Sequence, residues 1–130
     1  MIVDDERVAR FVGERIERRI CPPYTLMGIE RDGEIVAGVV FNGFTRNGVD
    51  VTVAGTGWTK GFIRAVGQYV FRGLGCLRMS VLTEQPGVVR FAERLGGRVE
   101  GLLRNEFGEG RDGYLVGILR EEWKFHDEKP

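Results

Sequence analysis

Residues 54–62 read Ala54-Gly55-Thr56-Gly57-Trp58-Thr59-Lys60-Gly61-Phe62, three glycines, two hydroxyls and a lysine ahead of an apolar run. Glycines let backbone amides approach an anion, and the unpaired amides of a helix that starts here attract a phosphate. The segment is no Walker loop, because Lys60 precedes Gly61 and the Gly-Lys-Ser/Thr order that sets a lysine on the outer phosphates is missing. It is no Rossmann turn either, since the Gly-x-Gly-x-x-Gly spacing does not fit and no alternation of parallel strands and helices surrounds it. A plain Gly-rich turn between a strand and a helix would use the same residues, so both readings stand at this point.

Other chemistry is poorly supplied. The single histidine is His126, near the C-terminal end, and Cys21 and Cys76 stand far apart, so Cys/His spacing for zinc is absent. A hydrolytic triad would have to recruit His126 opposite Ser80, the only serine, or one of the thiols. The 19 basic and 19 acidic residues cancel, which gives no support for a nucleic-acid partner. All the basic residues but Lys60, Lys124 and Lys129 are arginines, a bias that suits phosphate recognition and equally suits a GC-rich genome. No apolar run reaches the ~20 residues of a membrane span, and Met1-Ile2-Val3-Asp4-Asp5 does not resemble a signal peptide. The expectation is a soluble, cytoplasmic chain with reduced thiols and no membrane or nucleic-acid partner.

The 130 residues suffice for one domain, expected over 1–125 with a polar tail over 126–130 and disorder from Phe125 onward. Val8, Phe11, Val12, Ile16 and Ile20 form a helical stripe, predicting a first helix from Asp5 to Ile20, capped by Asp4 and Asp5 and stopped by Pro22-Pro23. Asp32-Gly33 and Asn47-Gly48 both suit type I′ turns and divide three strands, about Tyr24–Arg31, Glu34–Phe44 and Val49–Gly55. Phe62, Val66, Val70 and Leu74 predict a second helix from Thr59 to Leu74, then a strand over Leu77–Leu82 and a third helix from Pro86 to Leu95. Arg98–Arg104 and Tyr114–Leu119 complete the chain as a strand pair around a loop over 105–113, with Glu100 and Arg104 suited to a cross-strand charge pair. The order is αβββαβαββ, an α/β (α+β) chain with a mixed, mostly antiparallel sheet flanked by helices. One right-handed parallel crossover joins the third strand, the second helix and the fourth strand.

Glu93-Arg94-Leu95-Gly96, followed by the strand Arg98-Val99-Glu100-Gly101-Leu102-Leu103-Arg104, resembles the last helix and following strand of the GNAT superfamily of N-acetyltransferases. There a helix ends in a signature such as Glu-Lys/Arg-Leu-Gly-Phe. The resemblance spans about Leu26 to Leu119 and is closest to the short GNAT-like proteins of phage and prophage genomes. Several positions depart from the family pattern. Its pyrophosphate motif, Gln/Arg-x-x-Gly-x-Gly/Ala, registers on Thr56, Thr59 and Gly61, so only the last small residue is kept. The asparagine that opens the last helix registers on Gln85, the tyrosine that protonates the leaving thiolate on Ala92, and Gly97 replaces phenylalanine.

The resemblance implies a GNAT acyl-CoA N-acyltransferase fold and transfer of acetyl from acetyl-CoA, used as substrate without a metal, to an unidentified amine. A catalytically silent GNAT-fold binding or assembly module is the alternative. The implied cofactor-binding residues are Val53, Ala54 and Gly55 for an extended pantetheine, Thr59, Lys60, Gly61 and Phe62 for the pyrophosphate, and Gln85 at the third helix. The implied catalytic residues are Asp50 as base, with Asn42 and Thr52 positioning amine or water. Asp50 would equally serve to cap its hairpin or face solvent, and Trp58 to cover the sheet end or line the acceptor cleft. A homodimer is a further open expectation.

Overall fold

A computed structural model describes residues 1–126. Asp32 and Gly33 both take positive φ, 52° and 81°, and fold strand β2 (Tyr24–Arg31) back on β3 (Glu34–Asn42), as the Asp-Gly pair predicts. The second turn differs from expectation. Asn47-Gly48 is not its corner: the positive φ falls on Gly43, 59°, β3 ends at Asn42 instead of Phe44, and Gly48 already opens β4 (Gly48–Gly55). The Gly48 amide donates to Thr45 Oγ1 at 2.9 Å, while the Asn47 carbonyl accepts from the amides of Leu77 and Arg78 at 2.8 and 3.2 Å. Those bonds tie Asn47 to the start of the neighbouring strand, a tertiary demand that overrides the local turn preference.

A two-residue strand β1 (Ile2–Val3), not foreseen, precedes helix α1 (Glu6–Ile16). Asp5 caps α1 by accepting the Arg7 amide at 3.0 Å, and the Arg7 guanidinium holds its carboxyl down to about 2. The helix stops at Ile16 and not at Ile20, because Glu17 turns left-handed (φ 54°) and sends Arg18 across to Glu106 at 3.0 Å. The apolar side of α1 lies on the glycine pair Gly28 and Gly38, which face each other across β2 and β3. A Cβ on Gly38 would stand 2.8 and 2.9 Å from the methyls of Val12 and Val8.

Thr59 caps α2 (Lys60–Gly67) by accepting the Phe62 amide at 3.1 Å. The helix then widens into a π-helical turn over Gln68–Gly73, which closes with the Leu74 amide on the Tyr69 carbonyl at 2.7 Å. The wider turn rotates Leu74 off the apolar stripe, and it is 37% exposed. Gly67, where a side chain would collide with the Trp123 ring, admits that indole against the helix.

Strand β5 (Arg78–Thr83), helix α3 (Pro86–Arg94) and strands β6 (Arg98–Gly108) and β7 (Arg111–Leu119) complete the fold. Most of the loop expected over 105–113 is strand, with the turn at Glu109 and Gly110. Asn105, at φ 61°, accepts the Gly110 amide at 2.8 Å and donates its own amide to Asp112 at 2.9 Å. Glu100 does not pair with Arg104 but with Arg78, at 2.6 Å. Phe125 packs on Trp123, and His126 Nε2 lies 2.8 Å from the Arg120 carbonyl oxygen. Residues 127–130 of the expected tail lie outside the described residues.

The strands form one sheet in the order β1-β2-β3-β4-β5-β7-β6, with β4 and β5 as the parallel pair predicted from the strand–helix–strand order. Phe41, Phe62, Met79, Val116 and Ile118 fill the core under α2 and α3, and Val8, Phe11, Val12 and Val40 fill the layer under α1. Gly38→Ala should therefore lower stability by about 1–3 kcal/mol through overpacking under α1. Gly61→Ala, where a Cβ meets nothing within 4 Å, should leave it level or raised. Urea unfolding of both variants checks the contrast.

Candidate functional site

Strands β4 and β5 separate. Their parallel pairing runs from Gly48 with Arg78 to Val51 with Val81 and stops, while β4 stays bonded to β3 as far as Gly55 and β5 stays bonded to β7 as far as Thr83. The last residues of β4 therefore have a hydrogen-bonded neighbour on one side only. A cleft of about 1130 Å³ opens along the other side. Val53, Ala54 and Gly55, three of the residues expected on sequence to bind the cofactor, line it, as do Thr56, Trp58 and Gln85.

Gly55 fixes how the chain leaves β4. Its φ is 106°, and a side chain there would collide with the Val36 carbonyl and Ala37. Beyond it the Gly57 carbonyl accepts from Arg31 at 3.1 Å, and Trp58 packs on Phe62 and Phe91 with ring centroids 5.5 and 5.9 Å apart. Trp58 lines the cleft on the side of α2 and α3. Thr59, Lys60, Gly61 and Phe62 lie past this wall at the start of α2 and do not line the cleft itself. The Phe62 amide is already taken by Thr59 Oγ1. The amides of Lys60 and Gly61 have no partner among the described residues, and Lys60 is exposed.

Asn42, Asp50 and Thr52 are brought together. Asn42 pairs with Asp50 across β3 and β4, Asp50 pairs with Ser80 across β4 and β5, and Thr52 follows two residues on, so all four side chains lie on the α1 side of the sheet. Because α1 ends at Ile16, this row is left uncovered and lines the cleft. Asn42 Nδ2 donates to the Cys21 carbonyl at 3.3 Å and ties the loop after α1 to the end of β3. The Asp50 carboxylate accepts no hydrogen bond among the described residues. Its carboxylate lies against Gly43, where any side chain would collide with it, and desolvation raises its pKa above the ordinary value, partly offset by the Arg78 charge. The hairpin-cap role open to Asp50 is filled by Thr45.

The far wall was not foreseen from the sequence. Arg18 bridges Glu106 at 3.0 Å and lies over the Phe107 ring at 4.6 Å, which links the loop after α1 to the β6–β7 hairpin. Arg111 holds Glu84 with two bonds of 3.0 and 2.6 Å and keeps that carboxyl below its usual pKa. These partners are 88 and 27 residues apart, and no local pattern marks them. Ala92, at the position where the family's tyrosine acid registers, is buried. The described residues that line the cleft include neither tyrosine nor histidine.

No protein-family model matches the sequence, and no curated protein matches it either. Solved structures do match. The spermidine N-acetyltransferase SpeG of Vibrio cholerae, in a dodecameric structure in an intermediate state, is 17% identical with a TM-score of 0.72, over 93% of this chain and 94% of that one. The same enzyme in complex with CoA and spermine is 18% identical, TM-score 0.65, over 76% and 67%. A SpeG mutant matches at 19% identity and TM-score 0.63 over 75% of this chain, which spans 65% of that protein's length. At such identities the likeness speaks for architecture: the seven-stranded mixed sheet with its flanking helices has the GNAT fold of these acetyltransferases.

Proposed function

We propose that this chain is an N-acetyltransferase that moves the acetyl group of acetyl-CoA to an amine. The observation that carries the reading is the one-sided pairing of β4 beyond Val51, which leaves backbone donors and acceptors facing a cleft of about 1130 Å³, as an extended pantetheine arm requires. The likeness to a fold seen in complex with CoA and spermine supports it. The pantetheine lies along Val53, Ala54 and Gly55, and an amide of this stretch donates to the thioester oxygen as charge builds on it. The pyrophosphate lies at the start of α2, on the free amides of Lys60 and Gly61, with the Lys60 ammonium nearby and Gln85 across the cleft.

The amine approaches from the α1 side. Asp50 takes its proton, directly or through a water held by Asn42 and Thr52, and a carboxylate destabilised by desolvation is the better base for it. The amine nitrogen then bonds to the carbonyl carbon, the carbon–sulfur bond breaks, and the CoA thiolate leaves with the electron pair. With no tyrosine among the described residues that line the cleft, the thiolate takes its proton from water. A catalytically silent binding or assembly module would form no product.

Gly61→Val should weaken CoA binding strongly, since a side chain at 61 crowds the bare amides, while its Cβ stands in open space within the fold. Lys60→Ala should weaken binding less, by about 1 kcal/mol, because an exposed charge beside a helix dipole is screened by water and salt. Calorimetric titration of CoA into each variant gives the order of the two effects. Equal binding by Gly61→Val and the parent would remove the phosphate from this helix start.

Asp50→Asn should cut turnover more at neutral than at high pH and leave CoA affinity nearly unchanged, since the amide keeps the shape and takes no proton. It also has a stability signature. The folded-state pKa of Asp50 is raised, so from 3.8 upward the unfolded chain releases this proton first, and the group's contribution to stability falls until pH passes the folded value. Asp50→Asn should flatten that fall in unfolding curves measured against pH. An unchanged slope, with unchanged rates, would return Asp50 to a surface role.

A further inference from the structure

A second, smaller cavity of about 40 Å³ lies behind the cleft, between the sheet and helices α2 and α3. We propose that it is an acyl-chain pocket, so that the chain takes acyl-CoA donors about two or three carbons longer than acetyl; the inference rests on the acyl-CoA reading of the cleft. The cavity has only hydrophobic residues in its wall, and no polar atom faces it, so water has nothing to bond to inside. At ~10–15 Å³ for each water-sized occupant, the space holds about three chain atoms. Protein interiors seldom leave such room unfilled, because every wall atom loses packing contacts.

Its position fits a donor. Val51, Val53, Trp58, Val81, Val88 and Phe91 line both the cavity and the cleft, so the two spaces share a wall of apolar side chains. Val81 belongs to the last β4–β5 pair, and Val53 lies two residues past that pair, which sets the shared wall where the strands part. A thioester on the open edge of β4 would have its carbonyl beside this wall. The alternation along β4 points Val51 and Val53 toward the cavity and Asp50 and Thr52 the other way. A chain lodged behind Val53 therefore leaves the α1 side clear for the amine. Trp58 is half-buried and meets Phe62 and Phe91 at tilts of 48° and 30°, so its displacement gives up two tilted ring contacts.

The step stays an acyl transfer: the amine nitrogen bonds to the acyl carbon, the carbon–sulfur bond breaks, the amine proton goes to Asp50, and the thiolate takes one from water. The test is calorimetric titration of the full chain with free CoA and with acetyl-, butyryl- and octanoyl-CoA. Transfer of two further methylenes from water to an apolar pocket predicts binding of butyryl-CoA about tenfold tighter than acetyl-CoA, with octanoyl-CoA weaker again because it exceeds the space. Val88→Phe should fill the cavity from its half-buried wall and erase the butyryl-to-acetyl ratio within that variant. Should it fail to fold, Ala92→Val serves the same purpose. Butyryl-CoA binding no tighter than acetyl-CoA in the parent chain, or a gain that persists in the filled variant, would overturn the pocket while acetyl-CoA binding kept the donor reading intact. If neither CoA nor any thioester binds, the acyl-CoA reading itself fails.

Discussion

Beyond Val51, strand β4 has a hydrogen-bonded partner on one side only, and the candidate site depends on that break. The strands part because each is held from its outer side, β4 by β3 as far as Gly55 and β5 by β7 as far as Thr83. Backbone groups along the parting need water or a ligand, since an unpaired donor or acceptor shut away from both is costly. Gly55 then directs the chain out of the sheet at a φ of 106° and into the loop that starts α2. One discontinuity thus sets an open strand edge and a helix start side by side, the two features an extended, phosphate-bearing ligand requires.

The two-residue period of β4 separates chemistry from packing. Val49, Val51 and Val53 face the layer under α2 and α3, and Asp50 and Thr52 face the opposite side. That side is open because α1 ends at Ile16 under a left-handed Glu17. Asn42 and Ser80 extend the polar row onto β3 and β5. The Arg18–Glu106 and Arg111–Glu84 pairs brace the rim; as partly exposed ion pairs they add little stability, and their effect is to fix the loop after α1 and the segment between β5 and α3 against the β6–β7 hairpin.

Where local chemistry decides, the sequence was readable. Asp32-Gly33 makes the expected corner, and Thr59 opens α2 one residue before Lys60. The order of strands and helices also sufficed for the parallel crossover. Where distant partners decide, it was not. Asn47-Gly48 has the same local signal as Asp32-Gly33, yet the amides of Leu77 and Arg78 claim the Asn47 carbonyl, and the turn moves to Gly43. The spacing of Val70 and Leu74 reads as plain α-helix, whereas the chain makes a π-helical turn there. In the site, Asp50, Asn42 and Thr52 could be placed on one face from strand register. The phosphate contacts could not be fully assigned, because whether Thr59 takes the Phe62 amide depends on a side-chain geometry that no motif encodes.

Amide hydrogen exchange across residues 52–61, with and without saturating CoA, tests the central claim most directly. It reads the β4 edge and the α2 start separately and needs no acceptor and no substitution. The account predicts slowed exchange at amides within residues 53–55 and at Lys60 and Gly61 when CoA is bound, with the β3-bonded amides of β4 protected in both states. Exchange that stays unchanged over these residues while CoA is shown to be bound, or protection that falls elsewhere on the sheet, would contradict it.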